Sequence, residues 1–236
     1  MAVHELTIGF DADDTLWHNQ PIFEQSYDRF RELLSRYHEP EVVSDILIRT
    51  ELRNVKLYGY GIKGYTLSAI ESAIELSGGQ ISSAEIRQLL DAAKDMLAHP
   101  VELLEGVTET LTRLSQEHPL LLITKGDLKD QERKLESSGL ADHFRHVEIL
   151  SEKDSASYAR ILRRHAIDPE HFLMVGNSLK SDILPVLALG GAGAHIPYHV
   201  TWAGELAEEP TGHAGRFFKI ERMPELIAIV TSWRQR

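Results

Sequence analysis

The sequence predicts a doubly wound α/β fold with a parallel sheet and an inserted all-helical segment. Three observations carry this. Short apolar runs recur between helical patterns, a helical block interrupts that rhythm after the first run, and a carboxylate-rich turn follows the first run directly. Alternating strand and helix implies parallel strands joined by helical crossovers.

The apolar runs are residues 6–10, 120–123, 147–150, 172–175 and 192–196, each followed by polar or Gly-rich residues. Runs this short cannot be told from buried helix by periodicity alone, so flanks and spacing decide. Residues 128–138 read as a helix ended by Gly139, a residue suited to the left-handed position after a helix. Residues 155–165 read as another, and residues 225–233 as an amphipathic helix that closes the core and packs Trp233.

Residues 17–103 break the pattern. Phe23, Tyr27, Phe30, Leu34 and Tyr37 lie three and four apart, on one helical face. Leu67, Ile70 and Ile74 repeat the spacing. So do Ile86, Leu89, Ala93 and Leu97, after Ser82-Ser83-Ala84-Glu85, which has the form of a capping box. No strand is expected here. The domain reading is an α/β core at 1–16 and 104–236, with a helical cap over the sheet at 17–103.

Composition bounds the function. The 236 residues include 25 Lys+Arg and 36 Asp+Glu, a formal charge of −11, and 42% are hydrophobic. Such a chain buries a sizeable core and is not disordered. The acidic balance argues against nucleic acid, whose phosphates are held by excess Lys and Arg; a small anionic substrate needs only local positive charge. With no cysteine there is no disulfide frame and no thiolate metal site, which fits a reducing compartment. The N-terminal MAVHELTIGF does not match a signal peptide. The longest stretch free of Asp, Glu, Lys and Arg, residues 183–204, holds prolines, histidines and glycines and reads as buried helix, turn and strand rather than a membrane span. The expected location is the cytoplasm, with no membrane partner.

The chemistry is expected after the first run, at Phe10-Asp11-Ala12-Asp13-Asp14-Thr15. Ligands of open parallel sheets bind at the carboxyl ends of the strands. Carboxylates crowded there repel one another unless a cation or reacting group offsets them. Mg²⁺ suits the task, since it binds through one or two carboxylates plus substrate phosphate. A solvated Asp-rich turn is the plainer alternative.

Asp11-x-Asp13-x-Thr15 after an apolar strand resembles the first motif of the haloacid dehalogenase-like hydrolase superfamily. Leu120-Leu121-Leu122-Ile123-Thr124 resembles the second, a strand ending in Ser or Thr. Lys153 resembles the lysine of the third, without the proline that often follows it. Val175-Gly176-Asn177-Ser178-Leu179-Lys180-Ser181-Asp182 resembles the acidic fourth. The helical block lies where that family carries an inserted cap, so the resemblance spans nearly the whole chain.

The resemblance implies an Mg²⁺-dependent phosphatase of small phosphorylated metabolites. Asp11 is then the nucleophile that forms an aspartyl phosphate. Asp13 is the general acid and base. Thr124, Lys125, Gly126 and Lys153 bind the phosphoryl group, with Lys125 the rival of Lys153 as main source of positive charge. Asp11, the Asp13 backbone carbonyl, Asn177 and Asp182 hold Mg²⁺. Asn177 departs from the family, which commonly has Asp there, and removes one negative charge. Thr124 as a plain β-former, Glu152-Lys153-Asp154 as a solvated triplet, and Asp182 as an N-cap of the helix through Leu189 are the structural alternatives.

Asp13 also bears on the branch. Dehalogenation needs neither a protonated leaving alcohol nor Mg²⁺, so a second Asp favours phosphate chemistry. A dehalogenase-type hydrolase, a phospho-ligand binding or regulatory protein impaired at Asn177, and a phosphotransferase remain alternatives. Residues 58–65, with three tyrosines, three glycines and Lys63, read either as a substrate-facing loop or as an interhelical turn. His195 reads as structural or solvated rather than as a metal ligand, and His199 or Trp202 could flank the site entrance. The sequence leaves the particular substrate and the oligomeric state, monomer or homodimer, open.

Overall fold

A computed structural model describes residues 5–233, so the first four residues of the N-terminal segment lie outside it. The elements in chain order are β1 (Thr7–Phe10), α1 (Gln20–Leu34), α2 (Pro40–Tyr58), α3 (Ile62–Leu76), α4 (Ser83–Ala98), α5 (Val107–Ser115), β2 (Leu120–Lys125), α6 (Leu128–Ser138), β3 (His146–Leu150), α7 (Ser155–Arg164), β4 (Phe172–Gly176), α8 (Leu184–Ala188), β5 (Ala192–His195), β6 (Phe217–Lys219) and α9 (Leu226–Trp233). They form two compact units. Of the described residues, one comprises residues 5–18, Val101–Lys125 and residues 131–233; the other comprises Asn19–Pro100 with Gly126–Asp130.

The first unit is a six-stranded sheet of order β3-β2-β1-β4-β5-β6, parallel at every pairing. Strand periodicity sends alternate side chains to opposite faces. Ile8 and Phe10, Leu120 and Leu122, and Leu173 and Val175 face one layer, where α5 adds Val107 and Leu111 and α9 adds Leu226 and Val230. Leu121, Ile123, Phe172 and Met174 face the other, against Tyr158, Ile161 and Leu162 of α7 and Val186 of α8. Both faces are covered, so the central strands read as continuous apolar runs. The chain order reverses between β1 and β4, the switch point where open α/β sheets carry their ligands.

The second unit holds α1–α4 and no strand among the described residues. Phe30 and Leu34, Val43 and Leu47, Tyr65, Ala69 and Ala73, and Leu89 and Met96 build its core. The capping box forms, with Ser82 Oγ accepting from Glu85 N–H and Glu85 accepting from Ser82 N–H.

The structure corrects the reading of α3 and decides between the alternatives at two further places. Leu67 and Ile74 are about half exposed, because α3 buries the small residues Ser68, Ala69, Ser72 and Ala73, which let α2 approach closely. Residues 58–65 form an interhelical turn of only Gly59–Gly61, since α3 already starts at Ile62 and Tyr65 is buried. Asp182 does not cap a helix: it lies inside a π-helical turn, Leu179–Ile183, whose N-cap is Ser178, and α8 starts only at Leu184.

Candidate active site

β1 delivers Asp11 to the switch point. Its Phe10 is level with Leu122 of β2 and Val175 of β4, and Asp11 N–H donates to the Val175 carbonyl at 2.9 Å. The chain then turns sharply. Asp14 takes φ 61°, a left-handed conformation that Asp tolerates better than most residues, and its N–H donates to the Trp17 carbonyl at 2.8 Å. This turn sets Asp11 and Asp13 two residues apart with different partners.

Asp11 is buried. Its Oδ1 meets Lys153 Nζ at 2.5 Å and its Oδ2 accepts from Thr15 Oγ1 at 3.0 Å. Lys153 also reaches Asp182 Oδ1 at 2.7 Å, so one buried ammonium bridges two buried carboxylates. Burial pushes the Asp11 carboxyl up to about 7, against the pull of Lys153, and Asp182 adds to the rise. Burial likewise raises Asp182. For Lys153 burial acts downward, but Asp11 and Asp182 outweigh it and hold the ammonium above the usual lysine range. Lys153 comes from the loop after β3, and Asp154 beside it caps α7 through Ser157 N–H at 2.7 Å.

Asp182 reaches this point because β4 ends in glycine. A Cβ on Gly176 would lie 2.2 Å from Asp182 Oδ2, which instead accepts from Ser178 N–H at 3.0 Å. Asn177 joins through Thr15: its N–H donates to Thr15 Oγ1 at 3.0 Å, and its Oδ1 lies 3.3 Å from the same hydroxyl. His195 Nε2 lies 3.0 Å from the Asn177 carbonyl.

Asp13 has its own surroundings. Trp17 Nε1 donates to Oδ1 at 2.7 Å, Gln131 Nε2 to Oδ2 at 3.1 Å, and Lys134 Nζ to the two oxygens at 3.0 and 3.2 Å. Gln131 Nε2 also lies 2.9 Å from Thr124 Oγ1 and 3.0 Å from the Lys125 carbonyl. Thr124 thus accepts with its oxygen and keeps its O–H as a donor. Lys125 Nζ donates to Ser181 Oγ at 2.9 Å and pairs with Glu205. Gly126 follows at φ 144°, where the chain leaves β2.

Asp11, Lys153, Asp182, Thr15 and Asn177 therefore form one connected cluster, and Asp13 and Thr124 are joined to each other by Gln131. Among the described residues no three His, Cys, Asp or Glu side chains form a preformed metal cage. The donors that do gather, the Asp11 and Asp182 carboxylates and the Asn177 amide oxygen, are hard and few. This suits a cation such as Mg²⁺ that takes one or two carboxylates and completes its shell elsewhere.

Gln131, Lys134, Trp17 and Glu205 escaped the sequence reading. Gln131 and Lys134 are three apart and so share a helical face, but they sit in Lys129-Asp130-Gln131-Glu132-Arg133-Lys134, which has the look of a solvated run. Glu205 lies in a stretch with no periodic signal.

The chain as a whole is similar to known proteins. Residues 6–190 match the haloacid dehalogenase-like hydrolase family, and the chain belongs to it. It is a hydrolase of that family, and its curated relatives are phosphatases. N-acylneuraminate-9-phosphatase of Mus musculus is 27% identical over 239 residues, covering 94% of this chain and 92% of the relative. A haloacid dehalogenase-like hydrolase from Xanthomonas campestris superposes with a TM-score of 0.85 at 38% identity, covering 99% of this chain and 95% of that one. The HAD hydrolase YfnB from Bacillus subtilis, solved with magnesium, shares the fold with a TM-score of 0.66 at 16% identity, over 96% of this chain and 99% of that one. No helix among the described residues is long and apolar enough to cross a membrane.

Proposed function

We propose that this protein hydrolyses small phosphomonoesters through an aspartyl phosphate, with Mg²⁺ as cofactor. The observation that carries the reading is the division of labour at the end of β1, where Asp11 is tied to Lys153 and Asp13 to a separate set of donors. Dehalogenation has no use for the second carboxylate. The phosphatase names of the curated relatives support the reading.

Asp11 attacks phosphorus as the bond from phosphorus to the leaving alcohol oxygen breaks, and becomes phosphorylated, splitting one displacement into two. Asp13 protonates the leaving alcohol and then takes the proton of the attacking water. Thr124 donates its O–H to a phosphoryl oxygen, and Lys153 neutralises charge on Asp11 and on the transferred group. Positioning and charge stabilisation supply most of the acceleration in phosphoryl transfer. The Asp11 carboxylate, the Asp13 carbonyl, Asn177 and Asp182 would hold Mg²⁺. When bound, the ion offsets the crowded negative charge and keeps Asp11 ionised near neutral pH.

Purified protein is expected to release phosphate from an aryl phosphate with Mg²⁺, to stop on EDTA addition, and to resume when Mg²⁺ is restored. Asp11→Asn should abolish release. Full turnover in that variant, or halide release from a haloacid without metal, would overturn the reading.

A further inference from the structure

A second convergence of charged and hydroxyl groups borders the cluster. Glu205 sits in a single 3-10 turn, Ala203–Glu205, within the long connection between β5 and β6. Ser181 Oγ donates to its Oε2 at 2.5 Å, Ser178 Oγ donates to the same oxygen, and Lys125 Nζ pairs with Oε1. The donors are themselves oriented: Lys125 Nζ also donates to Ser181 Oγ at 2.9 Å, and Ser181 N–H donates to Ser178 Oγ at 3.0 Å. Burial acts to raise the Glu205 carboxyl, but Lys125 and the serines hold it below its usual value, so it stays ionised.

The placement gives this a functional meaning. Lys125 directly follows Thr124 at the end of β2, and Ser178 directly follows Asn177 at the end of β4. β2 and β4 flank β1, whose end carries Asp11. One ammonium and two hydroxyls therefore bracket the nucleophile's strand and jointly bind a carboxylate, which here comes from the chain itself. In the segment supplying it, Lys180 Nζ donates to the Gly204 carbonyl at 2.7 Å, and Glu205 N–H to the Trp202 carbonyl at 2.9 Å. A Lys and two Ser hydroxyls fit any carboxylate of that size, and charge-assisted bonds of this kind are the strong ones.

We propose that Lys125, Ser178 and Ser181 form a receptor for a carboxylate carried by the substrate, and that Glu205 fills this receptor until such a substrate displaces it. The inference rests on the phosphomonoesterase reading and narrows its substrate class to phosphomonoesters that bear a carboxylate.

The test compares two probes of similar size, 3-phosphoglycerate and glycerol 3-phosphate, which differ in the carboxylate. Their binding is measured by calorimetry, with Mg²⁺, to Asp11→Asn protein with and without Glu205→Ala. Emptying the receptor is expected to increase the preference for 3-phosphoglycerate at least about tenfold, and adding Lys125→Met should erase the gain. Glu205→Gln, which keeps the shape, serves if the alanine variant does not fold, and should shift the preference the same way by less. Unchanged preference, equal weakening of both probes, or no binding of either overturns the proposal and leaves Glu205 a structural ion pair. Phosphate release by the unsubstituted protein reports separately on the hydrolytic reading: if release occurs without the preference, only the receptor fails. If the preference appears without release from any phosphomonoester, only the hydrolytic step fails.

Discussion

Asp11 and Asp13 have the same side chain two positions apart, and their neighbours make them different groups. Asp11 shares one buried ammonium with Asp182, whereas Asp13 has two neutral N–H donors and its own lysine. Lys153 is the residue on which the first of these depends. Removing one partner of a buried ion pair leaves an uncompensated charge, at a cost of about 3–5 kcal/mol. Here Lys153→Met would leave two carboxylates facing each other. Phosphate release should fall by at least about 10²-fold, and Mg²⁺ should raise the melting temperature of this variant more than that of the parent, because a cation replaces the lost charge. An unchanged rate would remove Lys153 from the site. Lys153 was legible in the sequence only through the order of the four motifs, since its own neighbourhood, Glu152-Lys153-Asp154, is that of a solvated turn.

At the scale of elements, helix–helix packing in the second unit buries a charge. Glu51 of α2 is buried and accepts from Tyr27 of α1, through its hydroxyl, at 3.0 Å. Burial raises its carboxyl to about 7, and the Tyr27 bond only partly opposes this. The folded pKa is above the unfolded value of about 4.3. Stability from this group is therefore full below about pH 4 and is lost as pH rises through 7. Glu51→Gln should remove that slope, so its unfolding free energy, measured by denaturant titration, gains on the parent's between pH 5 and pH 8 by on the order of 1–3 kcal/mol. Parallel curves for the two proteins would show that Glu51 is not the group. The helices α1 and α4 were legible because large apolar residues mark their inner faces. The α3 face was misread because, between Ile62 and Leu76, its interior is made mostly of small and hydroxyl residues, which carry little hydrophobic signal.

The whole molecule divides into two units with separate cores, and every residue of the Asp11 and Asp13 networks lies in the α/β unit. Damage to the helical core should therefore act first on the helical unit. Phe30 is 1% exposed in that core. Phe30→Ala should cost about 3–5 kcal/mol, with amide hydrogen exchange accelerating across α1–α4 well before β1, β2 and β4. Equal acceleration in both units would mean that they unfold as one.

The part of this protein legible from residue order is the part written locally. An apolar run followed by Asp-x-Asp-x-Thr marks a strand and the carboxylate turn at its end, Ser82 and Glu85 mark a helix start, and strand–helix alternation implies a parallel sheet. These signals need only neighbours along the chain, because period, capping and turn chemistry act over a few residues. Tertiary structure alone decided what depends on distant segments meeting in a low-dielectric interior. It buried Gln131 and Lys134 against Asp13, closed Glu205 onto Lys125, and added β6 to the sheet edge after a long irregular connection. A charged side chain reads as solvated until its partner is known, and that partner here lies 80 to 121 positions away.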